Sequence, residues 1–179
     1  WPINPTVLNP HFGTEEQLKE MLEEAHKRNI NVIVDYVANH LHQSSPILKE
    51  HPDWVTPMYT EDGRLNVRLF DDERLTTWFD TFLPTLDLEK EEVREAMTDS
   101  ALYWIRHYDF DGFRHDAAKH IPESYWRLLT KKIRKERNWN HLYQIGETYG
   151  SVELVRSYVK SGMLDGQFDF NVYHTAVKV

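Results

Sequence analysis

The first part of the chain with a clear helical period lies between residues 15 and 28. Thr14 and Gln17 form a capping box at its start, because each side chain can satisfy an unpaired backbone N–H near the other. Apolar residues then recur at helical spacing along one stripe, at Leu18, Met21, Leu22 and Ala25. The pattern predicts a helix from Glu15 to Arg28.

A β-branched run from Val32 to Val34 follows this helix directly. Such a run is typical of a strand that is buried on both faces, as in a parallel sheet. The helix and strand patterns then recur, with helices expected at 90–107, 122–136 and 151–160 and apolar segments at 112–116, 142–147 and 164–173. Helix–strand alternation at about 30 residues per unit indicates an α/β fold with a parallel sheet.

The last of these units carries recognisable boundary residues. Ser151 is a usual N-cap, and Gly162 is a usual residue just after a helix end. Phe168 and Phe170 alternate with polar residues in the apolar segment that follows. We therefore expect a helix over 151–160 that ends at Gly162, and then a strand within 164–173.

The alternation is interrupted between His40 and Asp87. This stretch shows no long helical period and contains several aromatic residues and four prolines, at positions 46, 52, 57 and 84. Uncovered loops of this length are uncommon in compact domains. We therefore predict an inserted subdomain over 41–87, between sheet-forming segments at 1–40 and 88–179.

Composition narrows the class of protein. The 179 residues include 21 Lys+Arg and 29 Asp+Glu, so the net charge of −8 argues against general nucleic-acid binding. The absence of cysteine excludes disulfides, thiolate metal sites and a cysteine nucleophile. There is no apolar run of about 18 residues that could span a membrane. The compartment is left open.

Polar residues collect where the predicted strands end. The residues concerned are Asp35, Asn39 and His40 after the first strand, Arg114, Asp116, Lys119 and His120 after the second, and Glu147 after the third. The carboxyl ends of parallel strands are where ligands and catalytic groups collect in α/β barrels. Because unpaired buried charges cost free energy, we favour a reaction centre over a purely structural network of Asp35, Arg114 and Asp116.

Two carboxylates on neighbouring strands suggest the chemistry. Strands lie about 4.8 Å apart, so Asp116 and Glu147 can approach the ~5–5.5 Å separation at which a retaining glycosidase works. Arg114 beside Asp116 favours its ionised form, whereas Glu147 is expected in a more apolar site where it could hold a proton. The chain has no Gly-rich phosphate loop and no G-x-S-x-G motif that would indicate another reaction.

The segments Asp35–His40, Gly112–His120 and Gly146-Glu147 resemble, in order and spacing, three signature regions of the α-amylase family of glycoside hydrolases (family 13). Leu83–Asp87 is similar to a fourth. The resemblance implies a partial TIM (β/α)8 barrel, covering about strands 3 to 6. The inserted stretch 41–87 would correspond to the family's domain B.

Carried over position by position, the resemblance also implies roles. Asp116 would be the nucleophile, Glu147 the acid/base and Arg114 the group that orients Asp116. His40 would bind the sugar before the cleaved bond, and Lys119 and His120 would face the leaving group. Asp35 would be a buried acceptor that braces the strand end. Aromatic residues of the insertion could stack on sugars: Trp54, Tyr59, Trp78, Phe79 and Phe82.

The family often binds a structural calcium, for which the matching positions are the side chain of Asn39 and the backbone carbonyl of His120. Many members that bind calcium also have Asp where this chain has Thr85, and calcium prefers carboxylate oxygens. Asn39 and His120 are therefore candidate ligands of a reduced set. No organic cofactor is expected.

The resemblance implies an α-glucan substrate of the starch or maltodextrin type. A third family carboxylate would lie on a later strand, so we expect the chain to be part of a longer enzyme and inactive alone. Three alternatives stay open: an α-glucan transglycosylase, a non-catalytic sugar-binding protein, and a metal-dependent hydrolase. The last predicts that His40, His115 and His120 converge.

Overall fold

The computed structural model describes residues 1–138 and 140–178 and contains a parallel sheet in the order β1-β2-β3-β4. The strands are β1 (Ile33–Tyr36), β2 (Gly112–His115), β3 (Tyr143–Gly146) and β4 (Gly166–Gln167). Each strand is hydrogen-bonded to the next one along the chain, and all pairings are parallel. This is the arrangement of consecutive strands in a (β/α)8 barrel, so the chain forms part of one.

Helix α1 (Glu15–Lys27) precedes β1, and the strands are connected through α3 (Glu91–His107), α4 (Glu123–Glu136) and α5 (Val152–Ser157). The capping box of Thr14 and Gln17 is present as predicted. Along α3 the predicted apolar stripe is buried, at Val93, Met97, Ala101, Trp104 and Ile105. Along α1 the prediction holds only in part, because Leu22 is buried but Met21 is 45% exposed.

Alternate side chains of the sheet point to opposite faces. Phe113 and His115 lie on the outer face, against the helices, and both are fully buried. The inner face carries Arg114 together with Ile33 and Tyr143, which are 37% and 42% exposed. The prediction that β1 is buried on both faces is therefore wrong for this chain, since nothing among the described residues covers the inner face.

The end of the chain also differs from its prediction. The strand within 164–173 is only the two residues of β4, and a helix, α6 (Phe170–Val177), follows at once. The Asp169 side chain accepts a hydrogen bond from the N–H of Val172 and so caps this helix. Helix α5 is capped by Ser151 as predicted but ends at Ser157, and Gly162 lies in a later turn with φ of 81°.

Residues 41–87 contain little regular structure. They form the short helix α2 (Pro46–Glu50), a 3₁₀ turn at Pro52–Trp54 and isolated bridges. One bridge pairs His40 with Thr85, and the N–H of Leu86 donates to the carbonyl of Asn39 at 2.8 Å. This stretch is therefore fastened to the end of β1 at the point where the polar residues collect.

None of the helices in the described ranges has both the length and the apolar character that crossing a membrane would require.

Candidate active site

One guanidinium group joins the polar ends of three strands. Nη1 of Arg114 lies 2.8 Å from Oδ1 of Asp35 and 2.8 Å from Oδ1 of Asp116. Nη2 of Arg114 lies 2.6 Å from Oε2 of Glu147. The sheet register places these groups together, because Asp35 is paired with Arg114 and Arg114 with Ile145, two residues before Glu147. The predicted convergence of Asp116 and Glu147 is thus present.

Backbone hydrogen bonds continue the parallel ladder beyond the strand ends. The N–H of Asp116 donates to the carbonyl of Tyr36 at 3.1 Å, and the N–H of Glu147 donates to the carbonyl of His115 at 2.9 Å. After Asp116 the chain turns at Ala117, whose φ of 50° is in the left-handed region. The two carboxylates are therefore held by the sheet itself, whereas the residues that follow Asp116 turn sharply.

The surroundings of Asp35 and Glu147 differ from those expected from the sequence. Asp35 is 65% exposed, so it is a surface partner of Arg114 and not a buried acceptor. Glu147 is 36% exposed and in contact with Arg114, so it does not lie in an apolar site. Burial of Arg114 works against its charge, but its hydrogen bonds to Asp35 and Asp116 prevail and raise its pKa. The cluster therefore has three acidic groups around one permanent cation.

Two histidines flank this cluster in neutral form. Burial lowers the pKa of His40, although the negative charge of Asp116 opposes the shift. Burial also lowers the pKa of His120 to about 4, and its Nδ1 lies 2.7 Å from the carbonyl oxygen of Arg74. The ring of Phe79 stacks on His40 with centroids 4.5 Å apart and meets His120 edge-on at 5.0 Å.

His115 is separate from the cleft. It lies on the outer face, where its Nε2 is 3.2 Å from Oε1 of Gln144 and burial lowers its pKa to about 3. Within residues 1–138 and 140–178, no three His, Asp or Glu side chains form a group that could hold a metal ion. The convergence of His40, His115 and His120 that a metal-dependent hydrolase requires is therefore contradicted.

Three residues beside the cleft were missed at the sequence level: Phe70, Asp71 and Arg74. Phe70 packs edge-on against Phe79, with centroids 5.2 Å apart. Asp71 is 2.9 Å from Nζ of Lys119, and Nη1 of Arg74 donates to the carbonyl of Lys119. No periodicity marks these positions, since they lie in the irregular stretch and reach the cleft only through the fold.

The aromatic residues suggested as sugar platforms have different surroundings. Trp54 stacks on His51 at 4.0 Å, and the indole N–H of Trp78 donates to the carbonyl of Thr56 at 3.0 Å. Phe82 packs against Trp1, and Tyr59 is 59% exposed. Of the five, Phe79 is the one in contact with both cleft histidines.

The candidate calcium ligands give a poor donor set. Oδ1 of Asn39 is buried without a hydrogen-bond partner, which would suit a cation. At Thr85, however, the hydroxyl donates to the carbonyl of Thr77 at 2.6 Å and supplies no charge. Calcium takes roughly six to eight oxygen ligands, commonly with several carboxylates. The residues present around Asn39 and His120 therefore do not fit a calcium ion.

A parallel α/β-barrel sheet with an Asp–Arg–Glu cluster at adjacent strand ends defines a barrel domain with an acidic site at its carboxyl face. A family model described as the α-amylase catalytic domain matches residues 1–63 and 66–179. The chain belongs to the α-amylase family.

Individual α-amylases are also similar to this chain in sequence and in structure. α-Amylase 2 of Dictyoglomus thermophilum is 28% identical over an alignment of 170 residues, which covers 93% of this chain but 28% of that protein. An α-amylase structure from Anoxybacillus superposes with a TM-score of 0.85 at 28% identity, covering 100% of this chain and 38% of the other. The α-amylase of Geobacillus thermoleovorans, solved with acarbose, gives a TM-score of 0.81 at 30% identity, covering 97% and 38%.

Proposed function

We propose that this chain carries the nucleophile and the acid/base of an enzyme that hydrolyses α-glucosidic bonds in starch-like glucans with retention of configuration. The observation that carries the proposal is the contact of one Arg114 guanidinium with both Asp116 and Glu147. Neighbouring strands lie about 4.8 Å apart, so carboxyl groups at their ends can reach the ~5–5.5 Å separation that a double displacement requires. The names of the relatives support the substrate class.

In the first step, a carboxylate oxygen of Asp116 attacks the anomeric carbon as the glycosidic bond breaks. Glu147 gives its proton to the departing oxygen, and a covalent glycosyl–Asp116 intermediate forms. In the second step Glu147 removes a proton from water, which attacks the same carbon and releases Asp116. Two inversions at one carbon give net retention.

Arg114 has two effects in this scheme. Its hydrogen bond to Asp116 holds the nucleophile in position. Glu147 must exchange its contact with Nη2 for one with the glycosidic oxygen in order to act as the acid. The Asp116 carboxylate faces the positive charge that develops on the sugar ring and stabilises it.

The residues around the cluster would bind the sugar. Neutral His40 can exchange hydrogen bonds with sugar hydroxyl groups, whereas His120, whose Nδ1 donates to the carbonyl of Arg74, can accept one at Nε2. The Lys119 ammonium, held by Asp71, would add a donor on the leaving-group side. Phe79, stacked on His40, would supply an apolar wall beside these polar groups.

The chain spans 28% of the length of the D. thermophilum amylase, so activity is proposed for a longer protein that contains it. A complete barrel of this class takes about 250 residues and closes the inner face of the sheet. In that protein a further carboxylate on a later strand would hold the hydroxyl groups next to the reacting carbon, as the family resemblance implies.

The test is reducing-sugar release from soluble starch by the full-length protein and by matched variants. We expect Asp116→Asn and Glu147→Gln each to lower kcat by at least about 10³-fold, because each removes a group that acts in the reaction. Asp62→Asn, which changes an exposed carboxylate beside Arg64, should retain full activity. Hydrolysis at the unaltered rate by Asp116→Asn would refute the proposal.

A further inference from the structure

Two stretches of chain meet beside the cleft: residues 71–74 and the pair Lys119-His120 that follows Asp116. Oδ1 of Asp71 lies 2.9 Å from Nζ of Lys119, and the carbonyl of Arg74 lies 2.7 Å from Nδ1 of His120. The Arg74 guanidinium donates from Nη1 to the carbonyl of Lys119. Both proposed leaving-group residues are therefore held by the same short stretch.

The buried hydroxyl of Tyr158 joins these contacts into one hydrogen-bond network. Nη1 of Arg74 also donates to the phenolic oxygen of Tyr158. The Tyr158 hydroxyl in turn donates to the carbonyl of Lys119 at 2.9 Å, and its side chain is 5% exposed. Each member thus has a partner, which matters because unpaired buried polar groups cost about 1–3 kcal/mol each.

The network lies where the family resemblance would put a metal. The candidate ligand there is the carbonyl of His120, and the Arg74 guanidinium is bound to the carbonyl one residue earlier. A cation that is already fixed beside this position disfavours a second one there. The hydroxyl of Thr85, which stands where a carboxylate would complete the metal site, donates to the carbonyl of Thr77 and carries no charge.

We infer that Arg74 is a positioning residue, which fixes Lys119 and His120 in the cleft by joining them to residues 71–74, in a junction that is assembled without calcium. The Arg74 guanidinium binds the carbonyl of Lys119 and the phenolic oxygen of Tyr158 in this junction. The effect on substrate binding rests on the proposed function, whereas the metal-free junction does not.

The first test concerns the metal and needs no activity. The full-length protein is purified, treated with EGTA, and unfolded thermally with EGTA or with millimolar CaCl₂. We expect the same Tm in both, because no acidic ligand set forms among the described residues at this junction. The metal-free junction would be overturned by stoichiometric calcium in the purified protein together with a Tm that falls in EGTA and is restored by calcium. The variants Thr85→Val, Arg74→Met and Tyr158→Phe show whether that calcium lies at the junction. If all three respond to calcium as the unaltered protein does, the ion is bound elsewhere and the junction is still metal-free.

The second test separates positioning from simple stabilisation. We expect Arg74→Met to raise KM for maltooligosaccharides by about three- to tenfold with a smaller change in kcat, since it frees Lys119 and His120 but leaves Asp116 and Glu147 in place. Arg74→Lys should have a KM between those of Arg74→Met and the unaltered protein, because an ammonium can donate to both oxygens. Arg68→Met, at an exposed arginine paired with Asp80, is the matched control and should behave as the unaltered protein.

Two results would refute the positioning role. One is a lower Tm for Arg74→Met with KM unchanged, which would make the residue structural only. The other is a KM for Tyr158→Phe, a variant that keeps the ring and removes the hydroxyl, equal to that of the unaltered protein. If the protein had no activity on glucans, the proposed function would fail, while equal Tm values in EGTA and calcium would still support the metal-free junction.

Discussion

At the scale of single residues, Arg114 organises the site. Its guanidinium touches carboxylates from the ends of three neighbouring strands, Asp35, Asp116 and Glu147. Because the planar group presents several donors in fixed directions, it can hold these oxygens at once, which a lysine could not. Side-chain geometry here follows directly from strand register.

The roles proposed for the two carboxylates predict opposite products in a rescue experiment. With a glycosyl fluoride as substrate and azide as added nucleophile, Glu147→Ala should give the α-glycosyl azide, since azide then attacks the glycosyl–Asp116 intermediate. Asp116→Ala should give the β-glycosyl azide, because azide replaces the missing nucleophile. The products are distinguished by NMR. The reverse assignment would mean that the two roles are exchanged.

The residues at the strand ends could be predicted from the sequence because they follow apolar runs that mark the strands. Asp116 and Glu147 come directly after such runs, and their pairing with Arg114 follows from parallel register. Arg74 and Phe70 could not be predicted in this way, because their places depend on how an irregular stretch folds back onto the cleft. The exposure of Asp35 depends on what covers the inner face, which local pattern does not reveal.

At the scale of elements, glycine sets how closely the strands approach. A Cβ added to Gly112 would lie 2.2 Å from the carbonyl oxygen of Tyr143 and 3.1 Å from Cγ2 of Ile33. The backbone oxygen cannot move without breaking the pairing of β2 with β3. Gly112 therefore allows β2 and β3 to pair as closely as they do, and this pairing brings the two carboxylates together.

We predict that Gly112→Ala lowers the free energy of unfolding by at least about 3 kcal/mol, since overpacking against backbone cannot relax by a rotamer change. The measurement is denaturant unfolding of the protein. Gly166→Ala in β4 is the matched control, with the tyrosine hydroxyl of residue 143 at 3.5 Å from the new Cβ, and should cost less than about 1 kcal/mol. Equal losses in the two variants would contradict this explanation.

The other end of the sheet has a pH-sensitive contact between α1 and β2. Burial tends to raise the pKa of Asp111, but the N–H of Val32 at 2.6 Å and the ring of His26 at 2.9 Å outweigh it, so the pKa is lowered. A carboxyl whose pKa is lower in the folded state adds stability above its unfolded pKa and loses it as the pH falls. The contact thus favours folding at neutral pH.

We therefore predict that Asp111→Asn lowers Tm at pH 7, and that the difference from the unaltered protein shrinks below about pH 4 as the carboxyl is protonated. Thermal unfolding across a pH series measures this. Asp53→Asn, at an exposed carboxylate, should show no such pH-dependent difference. A difference that stays constant from pH 7 to pH 3 would show that charge is not the cause.

The elements themselves were predicted unevenly, for physical reasons. Helix α3 was predicted well because a long buried stripe leaves a strong periodic pattern. The prediction of a strand within 164–173 was largely wrong. It followed the alternation of Phe168 and Phe170, although Asp169 between them is a good N-cap. The cap starts α6, so a local signal for a helix was present and was outweighed by the alternation.

At the scale of the whole molecule, the inner face of the sheet is the main open feature. Asp35 and Ile33 are exposed there, and so is Tyr143. In a complete barrel, side chains from all strands fill this face in layers. The 179 residues alone are therefore expected to lack starch hydrolysis, which a reducing-sugar assay of the isolated chain beside the longer protein would check.

The central claim is that Asp116 is the nucleophile that forms a covalent bond to the sugar, with Glu147 acting first as the acid and then as the base. The most direct measurement is to trap the intermediate in the full-length protein with a 5-fluoro-α-glucosyl fluoride and to map the labelled peptide by mass spectrometry. The account predicts one glucosyl residue per molecule, attached to Asp116. A label on another carboxylate, or turnover-dependent inactivation with Asp116 unmodified, would contradict it.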